Sequence, residues 1–191
     1  MVFDGLDFDL ASGGLLLLRG ANGSGKSSLI RQLAGFVPAN PDAITWRGEG
    51  QLGLADNLAY IGHQPAVKPY LTVRENLALM GTVFGSGGET DDALNYWALD
   101  GLRDVPARFL SEGQKRRLAL ARLLLIDRQL WLLDEPNTGL DSVNLERLNT
   151  ALGAHLGRGG MVVMASHVPV DGLAATILDF GALVSHTGDG A

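Results

Sequence analysis

An apolar run, Leu15-Leu16-Leu17-Leu18, leads through Arg19 into Gly20-Ala21-Asn22-Gly23-Ser24-Gly25-Lys26-Ser27-Ser28. No other feature restricts the fold so strongly. Consecutive leucines that stop at a glycine-rich turn predict a buried strand, and the turn matches G-x-x-x-x-G-K-[ST] with a helix expected from Lys26 to about Leu33. Glycines let backbone N–H groups face an anion without obstructing side chains, and the start of a helix adds a positive end. Lys26 is then placed to reach the β- and γ-phosphates of a nucleotide, and Ser27 to ligate Mg²⁺. A glycine-rich turn that merely joins strand to helix would have a similar composition, but strand before and helix after favour phosphate binding.

A second group of residues fits the same chemistry. Leu130-Trp131-Leu132-Leu133-Asp134-Glu135 is an apolar strand pattern ending in two carboxylates. At the carboxyl end of a strand, Asp134 would hold Mg²⁺ through water, and Glu135 would orient and polarise an attacking water as general base. Taken alone, the pair could be a strand leaving the core into an acidic turn. Asn137-Thr138-Gly139-Leu140-Asp141 follows at once, and Asp141 also suits a helix cap. His167 stands just beyond an expected strand over 161–165. Leu110-Ser111-Glu112-Gly113-Gln114 opens an expected helix over 113–126, and a helix start is an anion site.

The remaining pattern predicts strands over 2–10, 15–19, 58–62, 130–133, 161–165, 175–180 and 182–185, a short hairpin from 43–46 and 51–52, and a tail over 186–191. Helices are expected from 71 onward with Thr72 as cap and Glu75 three residues on, over 93–99 after a polar loop at 85–92, and over 143–156. Strand and helix alternating around a phosphate loop give an α/β fold of P-loop NTPase type. Its sheet is mainly parallel with a small antiparallel part. A helical subdomain of about 65–110 is inserted between 1–64 and 111–191, the whole forming one domain. Trp46, Trp97 and Trp131 read as packing residues, and His63, His155 and His186 show no metal spacing.

Composition narrows the partners. A net charge of -6 without a basic run argues against nucleic acid and anionic lipid as direct partners. With no cysteine, disulfides, thiolate metal sites and thioether haem attachment are excluded for this chain. The start is acidic where a secretory signal would be basic, and no apolar run approaches the roughly 20 residues that span a bilayer.

In their order, from the phosphate loop through Gln64, 110–114, Asp134-Glu135 and Asp141 to His167, these motifs resemble the ABC ATPase family along nearly the whole chain. The resemblance implies ATP and Mg²⁺ as ligands, with Ser27, Gln64 and Asp134 at the metal, the last through water. It gives Glu135, His167 and Gln64 catalytic roles, His167 as the switch histidine. It makes Leu110 to Gln114 the signature, closing over the nucleotide of a second copy of the chain, and Asp141 part of the D-loop that touches that copy. Gly113 would allow close approach of the partner's γ-phosphate, whereas Glu112 replaces a small residue and is expected to point outward. The segment 71–77 resembles the one beside the groove that receives a membrane subunit.

Ile61-Gly62-His63-Gln64-Pro65-Ala66-Val67-Lys68, the compact length, the run 130–136 and Ser166-His167 look like the ATP-binding subunits of haem exporters that serve cytochrome c maturation. This implies a peripheral protein on the cytoplasmic face of a bacterial inner membrane, bound to an integral membrane transporter subunit. Haem-handling maturation proteins would be indirect partners, and nucleic acid none. An importer ATPase for another small substrate would share every catalytic residue. A soluble cassette of DNA maintenance or translation generally needs coiled-coil inserts or two cassettes in one chain. The family also places an aromatic residue under adenine on an upstream strand. Phe3 and Phe8 are available but fit a core face better. Either that platform is missing or this start lies downstream of the natural one, and weak base selectivity is expected.

Overall fold

In the computed structural model, which describes residues 6–40, 43–47, 53–85 and 89–181, the leucine run becomes β1 (Leu15–Arg19). Its side chains divide between two faces. Leu15 and Leu17 join one apolar cluster, and Leu16 and Leu18 the other. The same division recurs in β3 (Leu130–Asp134), where Trp131 and Leu133 face one way and Leu130 and Leu132 the other. In β4 (Met161–Ala165), Val162 and Met164 oppose Val163 and Ala165. Continuous apolar runs are what strands covered on both faces require.

With β2 (Leu58–Ile61) and β5 (Thr176–Asp179), these strands form a five-stranded sheet of order β2-β3-β4-β1-β5. Every pairing in it is parallel, with Leu15 beside Val162 and Leu133 beside Met164. The second cluster is covered by α1 (Lys26–Leu33) through Leu29, Ile30 and Leu33. The first takes in α2 (Val73–Phe84), α3 (Thr90–Tyr96), α4 (Glu112–Leu125) and α5 (Ser142–Gly157). Leu94 and Trp97 of the inserted segment belong to the same cluster as Leu17 and Leu133, so one core is continuous across the chain.

Several expected boundaries move. Residues 6–10 form no strand, and Leu6, Phe8 and Leu10 instead pack partly buried on the second cluster. Alternation there is satisfied by packing, with no strand partner among the described residues. Residues 43–46 likewise form no strand, with Ile44 and Trp46 on that cluster, and 51–52 lie outside the described residues. The antiparallel contact that does occur among the described residues is an isolated bridge between Thr72 and Pro106. The helix expected over 93–99 begins at Thr90, with Asp91 and Asp92 in its first turn where the helix dipole favours acids. It stops at Tyr96, before Ala98 takes φ 50. The expected strand at 182–185 and the tail lie outside the described residues.

Candidate functional site

The carboxyl ends of β1, β3 and β4 converge on one cleft. β1 runs into Gly20, whose φ is 140 and where a Cβ would sit 2.9 Å from the Phe180 Cβ, so only glycine fits there. Gly25 at φ 111 starts α1 with no side-chain cap. Lys26 is 6% exposed, and its Nζ donates to the carbonyls of Gly20 at 2.7 Å and Ala21 at 3.0 Å. An ammonium has three donors, so one remains for a phosphate oxygen.

Ser27 Oγ donates to Asp134 Oδ1 at 2.9 Å. Asp134 is 1% exposed, and its Oδ2 is buried without a hydrogen-bond partner among the described residues. A buried carboxylate oxygen is costly to leave unpaired. A hydroxyl and a carboxylate side by side, with one oxygen in want of a partner, fit a hard, oxygen-seeking cation such as Mg²⁺.

β3 ends at Asp134, and Glu135 takes the left-handed conformation at φ 51 while its N–H donates to Ala165 at 3.0 Å. Such a conformation in a non-glycine residue stores strain of about 1 kcal/mol or more, a frequent mark of functional positions. His167 Nε2 lies 3.4 Å from Glu135 Oε1 and 3.1 Å from Asn22 Oδ1, so a proton on Nε2 faces both acceptors. The cleft, about 430 Å³, is lined by Asn22, Gly23, Gly25, Lys26, Ser27, Ser28, Glu135 and His167, joined by His63 and Thr138. The motifs around 20–28, 134–135 and 167 therefore meet, although more than a hundred residues separate the first from the second.

Gln64 does not join them. It is exposed, and its neighbour His63 takes the cleft-facing place instead. The backbone here is held from α4: Arg116 donates to the carbonyl of Gly62 at 2.9 Å and to that of His63, and Arg122 donates to Pro65 at 3.1 Å. With these carbonyls fixed, His63 and not Gln64 is presented to the cleft. Burial pushes the Arg116 guanidinium below its ordinary value, while the carboxylates of Asp134, Glu135 and Glu112 hold it up. Burial, aided by repulsion from Arg116, brings Arg122 down to about 10.

The segment 110–114 also stays apart from the cleft. Leu110 is buried, but Ser111 and Glu112 are exposed. Ser111 caps α4 in a reciprocal box: its Oγ accepts from the Gln114 N–H at 3.3 Å, and its own N–H donates to Gln114 Oε1 at 2.8 Å. Glu112 does point outward, as expected, and pairs with Lys115 at 2.7 Å. A Cβ on Gly113 would lie 2.9 Å from the Gly139 carbonyl oxygen, so this glycine already serves a close approach within the chain. Asp141 caps α5, its Oδ1 accepting from the Asn144 N–H at 2.9 Å. That bond and a second from the Asn144 side chain hold the carboxyl below its usual range.

The segment after Glu135 adds contacts of its own. Thr138 lines the cleft, and Asn137 Nδ2 donates at 3.0 Å to Ser166 Oγ, tying the segment after Glu135 to the residue before His167. Phe8 packs on the core, whereas Phe3 lies outside the described residues. Among the described residues no helix is long and apolar enough to cross a membrane.

Known proteins share this chain's sequence and fold. The family model described as ABC transporter matches residues 3–138. The cytochrome c biogenesis ATP-binding export protein CcmA of Rhodospirillum rubrum is 45% identical over 184 residues, covering 93% of this chain and 78% of that protein. Its namesake from Paracoccus denitrificans is 44% identical over 178 residues, covering 93% and 81%. Among solved structures, the ATP-binding subunit of an ABC transporter superposes with a TM-score of 0.76 at 24% identity over 87% of this chain and 73% of that one. The cbiO1 protein of Clostridium perfringens, part of the ABC transporter complex cbiONQ, does so at 0.65 and 24% over 87% and 72%. These last likenesses concern the fold alone.

Proposed function

We propose a function from one premise: the chain belongs to the ABC transporter family, as an ATP-binding and ATP-hydrolysing component. In our reading it powers haem export or delivery in c-type cytochrome biogenesis, the process for which its CcmA relatives are named. It works as a pair of copies against an integral membrane transporter subunit, at the cytoplasmic face of a bacterial inner membrane. Residues 1–64 and 111–191 act as the nucleotide-binding core and about 65–110 as the helical arm.

The observation that carries this reading is the separation of two motifs. The cleft is lined by residues of the 20–28 loop, Glu135 and His167, with Asp134 behind Ser27, while Ser111 and Glu112 stand exposed elsewhere. One chain thus supplies half of each of two sites. Within its own half, the loop glycines and Lys26 bind the phosphates. Ser27 and Asp134 would hold Mg²⁺, which supplies charge to offset the negative phosphate oxygens. Glu135 accepts the proton of the attacking water, and His167, whose Nε2 faces Asn22 and Glu135, positions that carboxylate beside the γ-phosphate.

Purification of the tagged chain from detergent-solubilised membranes tests the assignment. Membrane subunits of cytochrome c maturation should accompany it, and its deletion should abolish c-type cytochromes. Recovery with the subunits of a binding-protein-dependent importer would overturn the cargo assignment.

A further inference from the structure

Arg116 is 5% exposed, four residues into the helix that Glu112 begins, yet among the described residues it makes no direct ion pair. Burying a guanidinium without a contacting carboxylate is unfavourable, and an apolar side chain of similar volume would fill the space at less cost. Its donors are used instead on two consecutive backbone carbonyls, Gly62 at 2.9 Å and His63. Gly62 and His63 directly follow β2, His63 lines the phosphate cleft, and the Pro65 carbonyl is gripped from the same helix by Arg122. A planar fork of fixed donors suits such a two-carbonyl grip, and a flexible lysine at this position would keep it only in part.

We propose that Arg116 is a positioning residue that locks the start of α4, where the signature lies, to the Gly62–His63 backbone. A shift at the cleft edge and a change in the pose of Ser111 to Gln114 then occur as one movement. The lock has a natural electrical opponent. Asp134 and Glu135 lie close enough for their charge to favour the buried guanidinium, so a cation held by Asp134 would compete for the same field. The inference rests on the reading above in one respect, that the pose of the signature matters because it meets a second copy.

Hydrogen exchange on the full chain tests the lock directly, comparing peptides covering 60–66 and 109–116 with and without ATP. In the parent, ATP should change protection in both. In Arg116→Met the change at 60–66 should persist while that at 109–116 falls at least about fivefold, the lower end of ordinary coupling between sites. Arg116→Lys should recover part of it, and the affinity of a fluorescent ATP analogue should stay within about twofold of the parent in both variants. Coupled changes surviving in both variants would overturn the proposal, as would loss of analogue binding in step with the loss at 109–116. ATP-dependent dimerisation, measured by light scattering in a Glu135→Gln background, reports on the half-site reading separately. A parent that stays monomeric there refutes that reading, while the exchange data still decide the role of Arg116.

Discussion

In the proposed function the helix starts at Lys26 and at Glu112 both meet phosphate, and they are built in opposite ways. α1 follows a left-handed Gly25, has no side-chain cap and no acid in its first turn. Its positive end is therefore left to the glycine loop and to whatever anion that loop holds. α4 is closed by its own box, with Ser111 and Gln114 satisfying each other and Glu112 in the first turn. A hydroxyl that accepts from Gln114 still has its proton to donate. α4 thus has its first turn satisfied from within, whereas α1 leaves its first N–H groups free for a ligand. In the proposed function α1 is suited to bind phosphate and α4 to recognise what has already been bound.

Breaking each start separately should show the largest difference. Lys26→Ala should weaken ATP binding by a single chain about 100-fold or more, whereas Ser111→Ala should leave that affinity almost unchanged and lower turnover about 10- to 100-fold. Equilibrium binding of a fluorescent analogue and phosphate release read the two effects. Equal losses of binding would erase the contrast. Gly113→Ala tests whether α4 is also held from within. The new methyl meets the Gly139 carbonyl at 2.9 Å, and thermal unfolding should report a loss of about 1–3 kcal/mol, partly offset by the better helix propensity of alanine.

A third helix start sharpens the comparison through pH. Asp141 caps α5 with a carboxyl whose bonds to Asn144 lower its folded value, so its contribution is present above the ordinary carboxylate range and is lost as pH falls through that lowered value. Asp141→Asn keeps an oxygen acceptor and should match the parent Tm at neutral pH while losing less Tm in acid. The smallest effect belongs to Glu112→Ala. Removing an exposed charge already paired with Lys115 should raise turnover by roughly two- to threefold at low salt, and the gain should vanish at high salt.

How far this was legible differs along the chain. The β1 leucines, the glycine loop and the β3 carboxylates could be read because local pattern and chemistry coincide there, and the structure joins Ser27 to Asp134. Residues 6–10 misled for the opposite reason. Their alternation is real and buries Leu6, Phe8 and Leu10, but whether a ladder forms depends on a neighbour that no local window contains. His63 and Gln64 were separable only once Arg116 and Arg122 were seen to hold the carbonyls around them. The link from Asn137 to Ser166 likewise spans segments that local spacing cannot bring together.

The pairing of β1 also dictates when the protein can first function. β1 is made early, yet the strands flanking it are β4 and β5, at Met161–Ala165 and Thr176–Asp179. On the ribosome the nucleotide loop emerges long before anything exists to anchor the strand that carries it, and such distant pairings close late. Translation intermediates should accordingly be blind to ATP until β4 and β5 have been made, a delay that keeps unfinished chains from engaging nucleotide or consuming it.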